Sequence, residues 1–224
     1  MKRSVLSLCL VSCFLSQSQI KYEFDYALEY EYIDAKDSTN NHKITYYSSS
    51  KANNYMMSVR DLESNKLGVN MNDNKRFTLI IQVHEDEFNK AYVISNNCEG
   101  ISKWDGKRYK KYTERYSFNS YQDTILNGKL LSHYKIEALP KSRGIKDKSA
   151  YNYFLVDESK TQYLPMFNPP LDYEMWLRDK PFLNGIIEEY GKYSKKHGFR
   201  KYKLVNVKKV KKVFQIPENC NQTN

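Results

Sequence analysis

The stretch Tyr22–Tyr32 decides the fold, and it reads Tyr-Glu-Phe-Asp-Tyr-Ala-Leu-Glu-Tyr-Glu-Tyr. Its even positions carry large apolar or aromatic side chains, and every odd position except Ala27 carries an acid. A period of two over this length is typical of a β-strand with one buried face and one wet face. A helix would spread the same aromatic side chains around its circumference. So long an amphipathic strand predicts a broad antiparallel sheet that is dry on one side.

The remainder of the chain predicts the partners of this strand. Asn127-Gly128 lies between the strand patterns Tyr116–Leu126 and Lys129–Leu139, and Asn-Gly favours the type I′ turn of a hairpin. Further strands are predicted at Lys43–Ser49, Tyr55–Arg60, Leu67–Val69, Phe77–His84, Phe88–Ser95, Asn152–Val156, Thr161–Phe167, Gly185–Tyr193 and Arg200–Ile216, with a short helix at Leu171–Asp179. The alternation in the last strand slips near Val205, which predicts a bulge. The predicted fold class is all-β and mainly antiparallel, a curled sheet or half-open β-barrel of about ten strands with little helix.

The N-terminus has the pattern of a secretory signal. Lys2 and Arg3 precede an apolar run, and small residues surround position 18. We therefore predict a signal peptide over 1–18 and a single β-rich domain over 19–224. Leu10–Cys13 also resembles a lipobox, so a lipoprotein anchored at Cys13 is the alternative. No later segment is apolar enough to predict a transmembrane span.

Positive charge is concentrated near the C-terminus of a chain whose formal net charge is +10. Between Lys192 and Lys212 the sequence has ten Lys or Arg and no acid. Such a run predicts either a solvated strand face or a surface that docks on an anionic envelope component or a protein partner. Nucleic acid is not predicted as a partner, because no base-stacking or base-reading motif accompanies the run.

Cleavage after position 18 would leave two cysteines, Cys98 and Cys220. An even pair permits a disulfide bond in an oxidising compartment. Two independent thiols are the alternative, because sequence alone does not show whether the two Cα atoms come within bridging distance.

The sequence predicts no catalytic residue, no cofactor and no metal site. It has no Gly-rich phosphate loop, no Gly-x-Ser-x-Gly elbow and no His-Glu-x-x-His motif. His84 stands beside Glu85, Asp86 and Glu87, but consecutive residues cannot all point one way in a strand. We therefore predict a protein that is not an enzyme.

The C-terminal third resembles a known family. Asn184-Gly185-Ile186-Ile187-Glu188-Glu189-Tyr190 resembles the Gly-Leu-Ile core of the GLPGLI proteins, which are exported proteins of Gram-negative bacteria. Tyr202–Val205 and Phe214–Pro217 are similar to endings in that group and in the LolA/LolB-like carriers. This resemblance implies a half-open antiparallel barrel whose apolar concave side holds lipid or acyl chains in the periplasm. It transfers no binding residues.

Chemistry alone gives a candidate ligand face on two strands. It consists of the alternating apolar side chains Phe24, Tyr26, Leu28 and Tyr30 of the first strand, with Phe77, Leu79 and Ile81 of a later one. Leu and Phe suit an acyl chain, whereas Tyr suits a polar head group at a rim. The predicted function is an exported, non-catalytic β protein that binds or carries a lipid-like hydrophobic ligand in the cell envelope. The alternative is a structural or interaction module of the envelope with a filled core and a basic face that docks a partner.

Overall fold

The computed structural model describes residues 18–103, 106–168 and 170–221. Residues 1–17 of the predicted signal peptide, including Cys13, lie outside the described residues. Twelve strands are found in the described part: β1 Gln19–Asp34, β2 His42–Ser48, β3 Tyr55–Asp61, β4 Lys66–Asp73, β5 Phe77–His84, β6 Val93–Ser95, β7 Ile101–Lys103, β8 Tyr116–Leu126, β9 Lys129–Ala138, β10 Tyr151–Asp157, β11 Ile186–Ser194 and β12 Gly198–Pro217. The α-helices are α1 Glu85–Lys90, α2 Gly106–Thr113 and α3 Pro170–Asp179, and short 3₁₀ helices cover Ser38–Asn40 and Glu218–Asn221.

All twelve strands belong to one curled sheet that does not close. Its order is β7-β5-β4-β3-β2-β1-β12-β11-β10-β9-β8, and the short β6 joins the C-terminal half of β12. The pairing of β6 with β12 is parallel, and the pairings along the main path are antiparallel. Strands that follow one another in sequence mostly pair with each other, as short connections favour. The predicted all-β, mainly antiparallel, half-open fold is confirmed.

The two longest strands, β1 and β12, form the centre of the sheet. Their register runs from Gln19 opposite Pro217 to Asp34 opposite Arg200, with two shifts. At the second shift Glu29 faces Asn206 while Tyr30 faces Leu204, so Val205 is the extra residue of a bulge. The bulge predicted near Val205 is confirmed.

The buried side chains of the described residues form four clusters, the smallest of which consists of Leu131, Tyr153 and Leu155 on β9 and β10. The first cluster includes Tyr22, Phe24, Val69, Met71, Phe77, Leu79 and Phe214. The second cluster includes Phe118, Ile136, Phe154, Val156, Tyr173, Met175 and Trp176, and it is covered by α3. The central cluster lies between them and includes Leu28, Tyr30, Tyr46, Met56, Met166 and Ile186. Both long strands supply side chains to the first and central clusters, so these two clusters share their backbone support.

Two predicted strands are wrong in the structure. Over Phe88–Ser95 the chain instead ends α1 and then forms the short β6. The helix is favoured because Glu85, Asp86 and Glu87 occupy its first turn, where the helix dipole stabilises acids. Phe88 supplies its buried residue.

The range Thr161–Phe167 forms turns and extended coil rather than a strand. Met166 and Phe167 are buried, but they pack on the central and second clusters without joining a β-ladder. These residues are apolar because they are buried by distant parts of the chain. A short apolar run of this kind has the same sequence pattern as a strand. The predicted helix after this range is confirmed as α3.

A disulfide bond joins Cys98 to Cys220, with the two Cα atoms 5.2 Å apart. It connects the β6–β7 loop to the C-terminal 3₁₀ helix across a sequence separation of 122 residues. Cys220 is buried in the first cluster. In the described part of the chain, no helix is long and apolar enough to cross a membrane.

Candidate functional site

The register of four neighbouring strands builds two rows of side chains on the face covered by α3. The first row is aromatic: Phe154 of β10 faces Tyr190 of β11, which faces Tyr202 of β12, which faces Tyr32 of β1. The Tyr190 and Tyr202 rings stack with centroids 4.4 Å apart and planes 5° apart. The row continues to Tyr32, whose ring centroid is 4.9 Å from that of Tyr202.

The second row lies two residues further along each strand and is polar. Asn152 faces Lys192, Lys192 faces Arg200, and Arg200 faces Asp34. Because side chains two apart in a strand share a face, this polar row lies directly beside the aromatic row. The sheet thus presents an aromatic row beside a polar row in which Lys192 and Arg200 are positive and Asp34 is negative.

A pocket of about 200 Å³ lies over these rows and is bordered by Asn168 and by Asp172 of α3. We call it the α3 pocket, and it is lined by Tyr32, Asn152, Phe154, Asn168, Asp172, Tyr190, Gly191, Lys192, Arg200 and Tyr202. Ligand pockets commonly measure about 300–1,000 Å³. The volume therefore suits a small group or one end of a longer molecule.

The guanidinium of Arg200 lies at this pocket and is ion-paired with Asp34. Its Nε is buried and has no hydrogen-bond partner among the described residues, although Asp34 Oδ2 lies 3.5 Å away as an ion-pair partner. The Arg200 side chain as a whole is 36% exposed, so an arriving acceptor can contact its guanidinium beside Asp34. With Lys192 on the adjacent strand, Arg200 gives the pocket an anion-attracting side.

Asp172, in the first turn of α3, contacts the polar row at Asn152. Asn152 Nδ2 donates to both carboxylate oxygens, at 2.8 and 3.0 Å. Burial raises the pKa of Asp172 to about 7, with the Asn152 hydrogen bond and the charge of Lys192 acting in the opposite direction. Near neutral pH this carboxyl group is therefore partly protonated and can act as donor or acceptor.

The backbone at Gly191 is closely covered by its neighbours. A Cβ atom there would lie 2.6 Å from the carbonyl oxygen of Arg200 and would also overlap the ring of Tyr153. Glycine therefore lets β11 approach β12 and β10 closely at the floor of the pocket.

The predicted ligand face is divided between two packed regions. Phe24, Phe77 and Leu79 are buried together in the first cluster, and Ile81 packs at its edge. Leu28 and Tyr30 are buried in the central cluster, with Tyr26 against it. Tyr30 underlies the α3 pocket, since its ring centroid is 5.7 Å from that of Tyr190 and its hydroxyl donates to the carbonyl of Ile187 at 2.6 Å. That this face binds a ligand stays a prediction.

Sequence reasoning missed Tyr190, Lys192, Arg200, Tyr202 and Asp172 as site residues. A signal for four of them was present in the hairpin of β11 and β12. Counting outward from its turn, where Ser194 faces Gly198, pairs Lys192 with Arg200 and Tyr190 with Tyr202. Asp172 had no such signal, because its place over the sheet depends on how α3 packs.

Several positive charges of the basic run Lys192–Lys212 are paired with groups of the protein itself. Lys201 contacts Glu189 at 3.0 Å and Lys208 contacts Glu29 at 2.5 Å. Lys212 donates to the carbonyls of Phe88 and Ala91, and burial lowers its pKa. In the described residues, no group of three or more His, Cys, Asp or Glu side chains is arranged to hold a metal ion.

The chain matches no protein-family model and no curated protein. Among solved structures it is similar to a domain assigned to outer membrane lipoprotein sorting from Vibrio parahaemolyticus, with 8% identity, 84% of each chain covered and a TM-score of 0.30. It is also similar to a LolA superfamily protein from Nitrosomonas europaea, with 8% identity, 83% of this chain and 85% of that chain covered, and a TM-score of 0.30.

Proposed function

We propose that this protein is an exported, non-catalytic β protein that binds a lipid-like amphiphile in the α3 pocket. One observation carries the proposal: an aromatic row lies beside a polar row that contains Lys192 and Arg200, across four strands. An amphiphile with an anionic head likewise has an apolar part next to a charged part. Its head would pair with the guanidinium of Arg200, and its apolar part would lie on Tyr190 and Tyr202.

Export and an envelope location are part of the proposal, and they rest on the N-terminal signal pattern and the resemblance of the C-terminal third. Burial of each methylene gains about 0.8 kcal/mol, so even a short inserted chain adds appreciable affinity. The pocket holds about 200 Å³, so a long chain also needs the segment before α3 to move outward.

The test uses native mass spectrometry of the extracted protein, followed by titration with dodecanoate and with uncharged dodecanol. We expect dodecanoate to bind more tightly than dodecanol, and Arg200→Gln to remove most of that difference. Lys203→Gln is the matched control, because it removes one positive charge from the same strand on the opposite face. Equal binding of both probes, or equal effects of the two substitutions, would contradict the proposal.

A second candidate function is the structural or interaction module with a filled core. It is favoured by the close burial of the first-strand face, where Phe24, Leu28 and Tyr30 are at most 4% exposed. If no amphiphile co-purifies and the folded protein binds neither probe, the result would favour this second function.

A further inference from the structure

A further concavity lies beside β5 and shares no lining residue with the α3 pocket. It is a groove of about 880 Å³ at the outer edge of β5. Side-chain amides and a hydroxyl converge on it, and we call it the amide groove: Gln19, Gln82, Ser95, Asn96, Asn97 and Gln215. Glu99 is the charged residue in its lining, in a protein with a formal net charge of +10.

One wall of the groove is an incompletely paired strand edge. β7 pairs with β5 over Phe77–Leu79, and the Ile80 N–H then donates to the carbonyl of Gly100 at 3.3 Å. Alternate residues of a strand direct their backbone groups to the same side, so Gln82 points its N–H and C=O outward as Ile80 does. Among the described residues, neither backbone group of Gln82 has a partner on that side.

The facing wall is the β6–β7 loop, and its position is fixed. The Cys98–Cys220 disulfide anchors the loop to the C-terminal helix. Gly100 has a φ of +73°, and a Cβ there would overlap the carbonyl oxygen of Ile80, so the loop crosses the strand edge in close contact. This wall ends the β5–β7 pairing and leaves a recess beside Gln82.

The side chain of Asn96, which lines the groove, has an acceptor without a partner. The backbone N–H of Asn96 donates to the carbonyl of Gln215 at 3.0 Å, which holds the residue in place. Its side-chain Oδ1 is buried and has no hydrogen-bond partner among the described residues. A buried carbonyl of this kind is suited to an incoming N–H. Beside it, the Ile80 side chain is 64% exposed.

From these contacts we infer that the amide groove binds an extended, uncharged peptide segment of a partner protein by strand addition to β5. The peptide backbone pairs with the free N–H and C=O of Gln82, and one of its N–H groups reaches Asn96 Oδ1. One of its apolar side chains covers Ile80.

The test uses the full, disulfide-bonded protein and a phage-displayed library of random heptapeptides. Enriched peptides are synthesised and titrated against wild type, Gln82→Pro and Gln82→Thr. Proline removes the edge N–H and is tolerated at strand edges, whereas threonine retains the N–H. We expect at least tenfold weaker binding by Gln82→Pro and less than threefold change for Gln82→Thr. N-methylation of the pairing residue in the peptide should weaken binding to wild type by a similar factor.

A second measurement does not depend on the folding of the proline variant. Addition of an enriched peptide to wild-type protein should shift the NMR amide signals of Ile80, Gln82 and Asn96 more than those of β9. Failure of the library to enrich a peptide, binding unchanged by Gln82→Pro, or shifts elsewhere would overturn the inference. So would sedimentation showing a dimer that Gln82→Pro dissociates, because the edge would then pair with a second copy. None of these outcomes involves the α3 pocket.

Discussion

At the residue scale, the buried carboxyl group of Asp172 makes stability depend on pH. Its pKa rises from 3.8 to about 7 on folding, because burial disfavours the charged form. Between these values the folded protein holds a proton that the unfolded chain has released. Stability from this group is therefore greatest below pH 3.8, falls as pH rises and levels off above about pH 7, a total of about 4 kcal/mol.

The substitution Asp172→Asn removes this titration while it keeps an oxygen for Asn152. We expect urea denaturation to show a stability that varies less between pH 4 and pH 7 than in wild type, with the largest relative gain at pH 7 and above. Asp61→Asn, at an exposed position on β3, is the matched control and should leave the pH dependence of wild type unchanged. Parallel curves for wild type and Asp172→Asn would show that Asp172 is not the group responsible.

At the scale of the element, the β8–β9 hairpin depends on the backbone of its turn. Asn127 and Gly128 have φ values of +52° and +77°. A Cβ added at Gly128 meets no atom within 4 Å, so its effect is conformational rather than steric. We expect Gly128→Ala to cost about 1–2 kcal/mol of unfolding free energy, measured by urea denaturation. Asn127→Gly should cost much less, and equal effects at the two positions would contradict this explanation.

Elements with a strict local pattern were predictable from sequence. The alternation over Tyr22–Tyr32 identified β1, and the Asn127-Gly128 turn gave the bounds of β8 and β9 closely. The strand predicted at Thr161–Phe167 failed because Met166 and Phe167 are apolar for contacts with distant residues. The α3 pocket could not be predicted for the same reason. The side chains of its floor follow from strand register, but the residues above them depend on how α3 packs on the sheet.

At the scale of the whole molecule, the two long central strands connect the parts of the sheet. β1 pairs with β12 from Gln19 to Asp34, and the first cluster therefore shares its backbone with the central cluster. Tyr190 in turn packs against both the central and the second clusters. Disruption at one end should therefore propagate to the other through continuous hydrogen-bonded strands.

The substitution Leu79→Ala tests this coupling from the first cluster. Leu79 is fully buried, so truncation should cost about 2–5 kcal/mol. We expect β9, which contributes to the second cluster, to lose its protection at the same lowered urea concentration as β4. Hydrogen exchange with mass spectrometry follows peptides from both strands in one experiment. Ile80→Ala, at an exposed position on the same strand, is the control and should leave both midpoints close to wild type. If β9 kept the wild-type midpoint while β4 lost protection, the two ends would unfold independently, and the long strands would not couple them.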